Sequence, residues 1–245
     1  MLEGLRAAAT GMTAQQRRMD ALSNDIANVN TTGYKHERTS FRDLVASQPG
    51  LGGADAIGAG AGAAAESAGR GWVQGVLQTT GQPLDVAIMG NGFLQVTLAD
   101  GRTALTRNGA LQIDADGRIA TSDGALLQPP VTVPAGTSPE DLTVALDGTL
   151  TAQGRTIGNL ALVTVAAPHE LDDAGDGTYT TNDASGPALA AGADTTLLQG
   201  CLEASNVDLG DAMVDLMAAQ RSFQMASQAV HTQDQMLSIA NGLKQ

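Results

Sequence analysis

Three histidines, one cysteine and a scatter of carboxylates are the residues of this chain that could do chemistry, and their spacing organises none of it. His36, His169 and His231 stand far apart in the sequence. No two of them have metal-ligand spacing, and none adjoins a serine-nucleophile motif. The run Asp172-Asp173-Ala174-Gly175-Asp176-Gly177 has the composition of a calcium loop. Ala174 takes the position where a ligand oxygen is needed, however, and Asp183 stands where a bidentate glutamate belongs, so a solvated acidic turn is the better reading. Gly58-Ala59-Gly60-Ala61-Gly62 has the glycine content of a phosphate loop but lacks its Lys-Ser/Thr, and no clear strand precedes it. Cys201 is the only cysteine, which excludes a disulfide framework or zinc cluster and suits a small, semi-buried hydrophobe. Acidic residues are numerous enough for a carboxylate-pair hydrolase, but nothing singles out two of them. No catalytic, metal or cofactor-binding constellation can be assembled, and no cofactor is expected.

Composition narrows the class further. A formal charge of −13 argues against a nucleic-acid surface, which needs clustered Lys and Arg to neutralise phosphate. Tyr34, Phe41, Trp72, Phe93, Tyr179 and Phe223 are the only aromatic residues, so any core must be built from Val, Leu, Ile and Ala. Glu3, Arg6, Gln15, Gln16, Arg17 and Arg18 interrupt the start of the chain, which therefore lacks a secretory signal pattern. No apolar run approaches the ~20 residues of a membrane span, and no membrane insertion is expected. If the protein leaves the cytoplasm, a route other than a cleaved signal must take it.

The elements around these residues point to assembly. Leu5, Met12, Met19 and Ile26 recur every seven positions, with Ala8, Gln15, Leu22 and Val29 as a companion row. This predicts a helix from Leu2 to Val29 with an a/d seam over four heptads. Its length of ~40 Å, at 1.5 Å per residue, exceeds what a small domain accommodates. Asn30-Thr31-Thr32-Gly33 should end it, since these residues leave helical geometry readily. Asn24 and Asn28, one turn apart, either finish the helix or hydrogen-bond across a helix interface.

Residues 47–71 are Gly/Ala-rich and suggest a flexible connector. From Trp72 onward, short β-rich runs alternate with Asn-Gly and Asp-Gly pairs at 91–92, 100–101, 108–109, 116–117, 123–124 and 147–148. Such pairs favour the type I′ hairpin turn. The spacing predicts antiparallel strands at Phe93–Leu98, Arg102–Thr106, Ala110–Asp114, Arg118–Thr121 and Ala125–Gln128, with a more buried strand at Ile157–Val165.

Around Ser205 the seven-residue period returns, with Ser205 and Asp208 as a capping pair. Leu209, Leu216, Phe223, Val230 and Leu237 form the heptad row, flanked by Ala212, Ala219, Ala226 and Ala240. Asn241-Gly242 supplies a C-cap. Both terminal helices have thin charged faces, and they hold six of the eight methionines, which suits surfaces that pack against several neighbours.

The expected class is therefore α+β. Long N- and C-terminal heptad helices would form a coiled-coil inner domain, with a central all-β domain inserted between them. The expected boundaries are 1–35 for the first helix and turn motif, 36–71 for an extended connector, 72–200 for the β-domain and 201–245 for the second helix.

Leu22-Ser23-Asn24-Asp25-Ile26-Ala27-Asn28-Val29-Asn30-Thr31-Thr32-Gly33-Tyr34-Lys35 resembles the N-terminal signature of the bacterial flagellar rod and hook proteins. The segments Gly75–Ile88 and Gly90–Phe93 resemble that family's entry into its β-domain, continued by Thr106-Arg107-Asn108-Gly109. Leu198–Val207 and then Ala219-Gln220-Arg221-Ser222-Phe223 resemble its C-terminal signature. Leu94 and Leu105 depart from the pattern, standing where aromatics are usual. The length excludes hook proteins. Among rod subunits the C-terminal signature is most similar to the distal ones, and the short connector leaves a proximal position open.

The resemblance implies a non-enzymatic rod subunit whose terminal helices build an inner tube. Leu5, Met12, Met19, Leu22, Ile26, Leu209, Leu216, Phe223, Val230 and Leu237 would be its assembly contacts. Asn24, Asn28, Asn30, Thr31, Thr32, Gly33 and Tyr34 are its motif residues. It further implies export in unfolded form through the type III apparatus, with Phe41 and Val45 resembling an export-gate motif. Partners would be further copies of itself, other rod and hook subunits and the export gate, in the basal body at the periplasmic or cell-wall layer. Two other classes stay open at this point: a cell-wall hydrolase associated with the rod, and a secreted binding module whose terminal helices pair within one chain.

Overall fold

Leu2–Ala27 forms a helix (α1) and Leu209–Gly242 a second (α2), with strands between them, in a computed structural model that describes residues 2–46, 59–192 and 194–242. The class is α+β. The chain divides into two compact units. A helical unit gathers Met1–Ala27, Glu37–Ala68 and Asp208–Gln245, and a β-unit gathers Asn28–His36 and Gly69–Val207.

In the helical unit α1 and α2 pack along each other. They run antiparallel: Gly4 of α1 lies beside Gln233, whereas Arg18 pairs with Asp215 at 3.1 Å. The less exposed stripe of α2 is Ala212, Leu216, Ala219, Phe223, Ala226, Val230 and Gln233, in alternating steps of four and three. Small residues at its most buried points, Ala212 and Ala219, let the helices approach closely. Asp208 caps α2 by itself, its Oδ1 accepting the Gly210 and Asp211 amides at 2.8 and 3.1 Å. The expected capping partner Ser205 instead accepts the Val207 amide, within the β-unit. The helix accordingly starts four residues later than Ser205 suggested.

Glu37–Ala46 (β1) pairs with Ala59–Arg70 (β2), where the composition suggested an extended connector. Residues 47–58 lie outside the described residues. The small side chains of β2 are a packing requirement rather than a sign of flexibility. A Cβ on Gly62 would stand 1.8 Å from Thr10 Oγ1 and 3.1 Å from the Ala7 Cα, both in α1. Ala65 is buried, and its carbonyl accepts Arg17 Nη1 at 2.9 Å. Glycine inside a strand marks this kind of close backbone approach. The face of α1 turned to the strands is thus Ala7, Thr10, Ala14, Arg17 and Ala21, one residue row away from the heptad seam.

The β-unit is built on a nine-stranded antiparallel sheet. Along its main path the strands are Asp172–Gly175, Thr178–Thr180, Thr103–Thr106, Phe93–Thr97, Leu126–Leu127, Ile119–Thr121 and Leu111–Ile113. Leu162–Thr164 joins it by pairing with Phe93–Thr97 and Leu189–Ala190. The predicted strand over Ile157–Val165 is two strands, because Leu160 turns to donate to the Gly148 carbonyl. Its first half, Arg155–Asn159, pairs with Thr149–Ala152 in a three-stranded sheet completed by Leu142–Val144. Val86, Ile88, Leu94, Val96, Leu150 and Leu197 lie at the centre of the core.

The Asp-Gly turns differ from type I′. Asp100, Asp116, Asp123 and Asp147 keep negative φ, and only the following glycine is left-handed. Gly101 N donates to Leu98 O while Leu98 N donates to Arg102 O, both at 2.9 Å. That is a type I turn closed by a glycine bulge, which also suits the twist of antiparallel strands.

Two further ladders close the unit from opposite ends of the sequence. Val86–Met89 pairs with Thr196–Gln199, and Leu77–Thr79 pairs with Cys201–Glu203.

Candidate functional site

The expected seam residues divide by exposure. Leu5, Met12, Met19, Leu22 and Ile26 of α1 are half-buried, as are Leu216, Phe223 and Val230 of α2. Leu209 is exposed at the start of α2, and the Leu237 side chain lies outside the described residues. The opposite face of α2 is also apolar: Met213, Val214, Met217, Met225, Met236 and Ile239 are exposed, Met225 by 67% and Ile239 by 65%. A helix apolar on both faces is one whose second face is made to be covered. Phe41 projects from β1, 45% exposed, with the Arg18 guanidinium 6.0 Å from its ring. The Val45 side chain is outside the described residues.

The signature residues split between surface and core. Asn24, Asn30 and Thr31 are exposed and Asn28 and Thr32 half-buried. The Thr31 amide and hydroxyl donate to the Asn28 carbonyl and Oδ1, each at 3.0 Å, which closes the end of the helix. Gly33, Tyr34 and Lys35 are buried in the β-unit. Gly33 has φ +70°, and a Cβ there would come within 2.8 Å of the Arg107 carbonyl, so no other residue fits.

The Gly33 amide donates to the Glu203 carbonyl at 2.8 Å, bringing the N-terminal signature onto the C-terminal one. The Glu203 side chain then gathers buried donors. Its Oε1 accepts Lys35 Nζ at 2.6 Å and the Gly75 amide at 2.9 Å, and Arg107 Nη1 lies 3.3 Å from each carboxylate oxygen. All three charged side chains are essentially closed to water. Removal from water pushes the Lys35 ammonium below its ordinary value, and the Glu203 carboxylate opposes that shift. Burial acts on Arg107 in the same direction. Val73 O completes the Lys35 shell, while Gly92 O and Gly90 O accept from Arg107. Such saturation is what makes buried charges tolerable.

Aromatic rings wall this cluster. Trp72 meets Phe93 and Tyr179 edge-on at 4.8 and 4.9 Å. The Arg70 guanidinium lies 5.3 Å from the Tyr34 ring and 5.4 Å from that of Tyr179, and it pairs with Asp173. The acidic run at 172–177 therefore supplies an ion-pair partner and an edge strand. Burial raises the Tyr179 phenol to about 12.

Lys35, Arg107, Glu203 and Asn206 had no assigned role on sequence grounds. One signal was present: in Cys201–Glu203 the two-residue period puts Glu203 on the same face as Cys201, the residue read as semi-buried. A carboxylate on an inward face demands cationic partners.

Comparison with known proteins agrees with this organisation. Residues 5–35 match a family model described as "Flagella basal body rod protein". Residues 87–152 match "Flagellar hook protein FlgE/F/G D1 domain", and 198–243 match "Flagellar basal body rod FlgEFG protein C-terminal". "Flagellar basal-body rod protein FlgG" of Caulobacter vibrioides is 35% identical, over 99% of this chain and 100% of its own length. The protein of that name in Bacillus subtilis is 35% identical over the whole of both chains. "Flagellar hook-basal body complex protein FlhP" of Bacillus subtilis is 31% identical over the same full span. With identity of this order along the whole length, the chain belongs to the flagellar basal-body rod protein family.

Proposed function

We infer that this protein is a structural, non-enzymatic subunit of the bacterial flagellar basal-body rod, and that its place is the distal rod rather than the proximal one. The full-length relatives carrying the FlgG name support that placement. The observation that carries assembly is the second apolar face of α2. Pairing with α1 in one chain accounts for the Leu216–Phe223–Val230 face only. Met213, Val214, Met217, Met225 and Ile239 need another partner, and a neighbouring copy supplies a matching surface.

In this reading the terminal helices of many copies pack as a coiled-coil tube. The heptad residues Leu5, Met12, Met19, Leu22, Ile26, Leu216, Phe223 and Val230, together with Leu209 and Leu237, set helix pairing. The methionine face makes contacts between subunits. The chain reaches the periplasmic and cell-wall layer through the type III export gate, with Phe41 and Val45 as the recognised pair. Its partners are further copies and the adjoining rod and hook subunits. Among the described residues, no helix is long and apolar enough to cross a membrane.

Substituting Met217 and Met225 together by Asp tests the assembly reading. The expected monomer keeps its circular dichroism and melting profile, because both side chains are exposed, yet it builds no rods in a strain lacking the native protein. Normal hook–basal bodies from that strain would sink the proposal for this face.

A further inference from the structure

The chain passes between its two units four times, after Ala27, His36, Ala68 and Val207. Three of these passages, after His36, Ala68 and Val207, lie beside short stretches of the β-unit, 33–36, 70–75 and 203–206, and these are tied to one another. The Asn206 backbone amide donates to Tyr34 O at 3.4 Å. Its side-chain Oδ1 accepts the His36 amide at 2.9 Å, and Nδ2 donates to Gly71 O at 2.6 Å and Val73 O at 3.1 Å. One asparagine therefore uses both ends of its amide to hold two other stretches of backbone to its own. The Gly71 amide donates directly to His36 O at 3.0 Å, and Arg70 Nη1 donates to Lys35 O at 2.7 Å. Three residues along, Glu203 repeats the pattern on Gly33, Lys35 and Gly75.

These ties exceed what the β-core requires. The stretches 33–36 and 70–75 contribute no strand to the nine-stranded sheet. A segment that merely linked two units would run over the surface with its backbone solvated. Here the backbone beside each of the three passages is locked by side chains, and Glu203 and Asn206 reach all three stretches.

We propose that Glu203 and Asn206 form a mechanical clamp that carries torque. The clamp binds these three passages into one bundle inside the β-unit, so a load entering by any of the three is shared among parallel hydrogen bonds and ion pairs. Without it, the load would stretch single backbone connections in sequence before reaching the sheet. The mechanical part of the proposal rests on the rod reading; the clamp does not.

Two measurements separate them. In purified full-length protein, amide hydrogen exchange is followed at His36 and Gly71, and in the sheet at Val96 and Leu105. Asn206→Ala should speed exchange at His36 and Gly71 by about tenfold, the local stability held by one or two hydrogen bonds, and leave the sheet amides unchanged. Asn206→Asp keeps the acceptor for the His36 amide but has no Nδ2 donor for the Gly71 and Val73 carbonyls, so His36 should stay protected while Gly71, whose own amide bonds to His36 O, loosens less than in Asn206→Ala. Unchanged exchange at both amides in Asn206→Ala, or equal acceleration in the sheet, overturns the clamp.

The second measurement is swimming of cells carrying Asn206→Asp, with hook–basal bodies counted by microscopy. Equal rod numbers with speed falling more steeply than wild type as the medium is made viscous support torque transmission. Wild-type speed at every viscosity, or loss of rods with no dependence on load, overturns it. If the protein proves absent from rods, the rod reading fails while the exchange result stands.

Discussion

Glu203 Oε1 lies 2.6 Å from Lys35 Nζ across 168 positions of sequence, and both side chains are sealed from solvent. The contact joins the N-terminal signature to the C-terminal one, with Arg107 from between them as the third member. Two cations around one anion leave the cluster formally positive, and the carbonyls of Val73, Gly90 and Gly92 offset the excess.

Glu203→Gln should therefore destabilise the β-unit by about 3–5 kcal/mol, the range for breaking a buried ion pair and leaving the partner uncompensated. Urea unfolding followed by Trp72 fluorescence measures it. Glu203→Gln combined with Lys35→Met leaves one stranded cation instead of two. It should be the more stable of the two variants, and the reverse order would mean that the Lys35–Glu203 coupling is unimportant.

Tyr179 should titrate near 12, against 10 for an exposed phenol. The sign follows from the raised value: between pH 10 and 12 the folded state holds the proton and the unfolded state does not. Stability thus falls as pH rises through that window, by roughly 2–3 kcal/mol from this group. Lys35 contributes with the opposite sign, since its value is lowered and stability rises as pH climbs toward 10.5. Absorbance at the tyrosinate band isolates the phenol, and Tyr34→Phe leaves Tyr179 as the only tyrosine. A midpoint near 10 in that variant would contradict the burial.

Gly62→Ala and Gly11→Ala should move in opposite directions. The added methyl at Gly62 meets Thr10 Oγ1 at 1.8 Å, on a backbone of φ +102°, so β2 must separate from α1. Gly11 sits within α1 with open space around its Cβ position. There alanine should stabilise the helix by about 0.5–1 kcal/mol. Thermal melts of the helical signal decide both. A tolerated alanine at Gly62 would show that β2 does not approach α1 this closely.

Asp208→Ala should cost about 1 kcal/mol of helix stability through loss of an N-cap that serves two amides. Ser205→Ala should leave the helical signal unaltered, because the Ser205 hydroxyl accepts the Val207 amide, ahead of the helix. Equal losses in the two variants would return the helix start to Ser205.

The helices, the meander strands and the family were legible in the sequence because each rests on local regularity. Heptad spacing fixes which residues can share a helix face, and the recurring Asp-Gly pairs fix where short strands must reverse. What the sequence left ambiguous depended on contacts made at long range. The Gly/Ala composition of β2 is the same whether it serves a flexible connector or a strand pressed against a helix, and only Thr10 and Ala7 opposite Gly62 distinguish them. Heptad rows mark faces without saying what covers them; tertiary packing set Leu216 and Phe223 toward shelter and left Met217 and Met225 in water. Most of all, Lys35, Arg107, Glu203 and Asn206 look like ordinary surface residues when read singly. Charge is stable in a protein interior only when its partners arrive together, and these four residues come from three separate stretches of this chain. No local pattern encodes that meeting, so folding alone decided it.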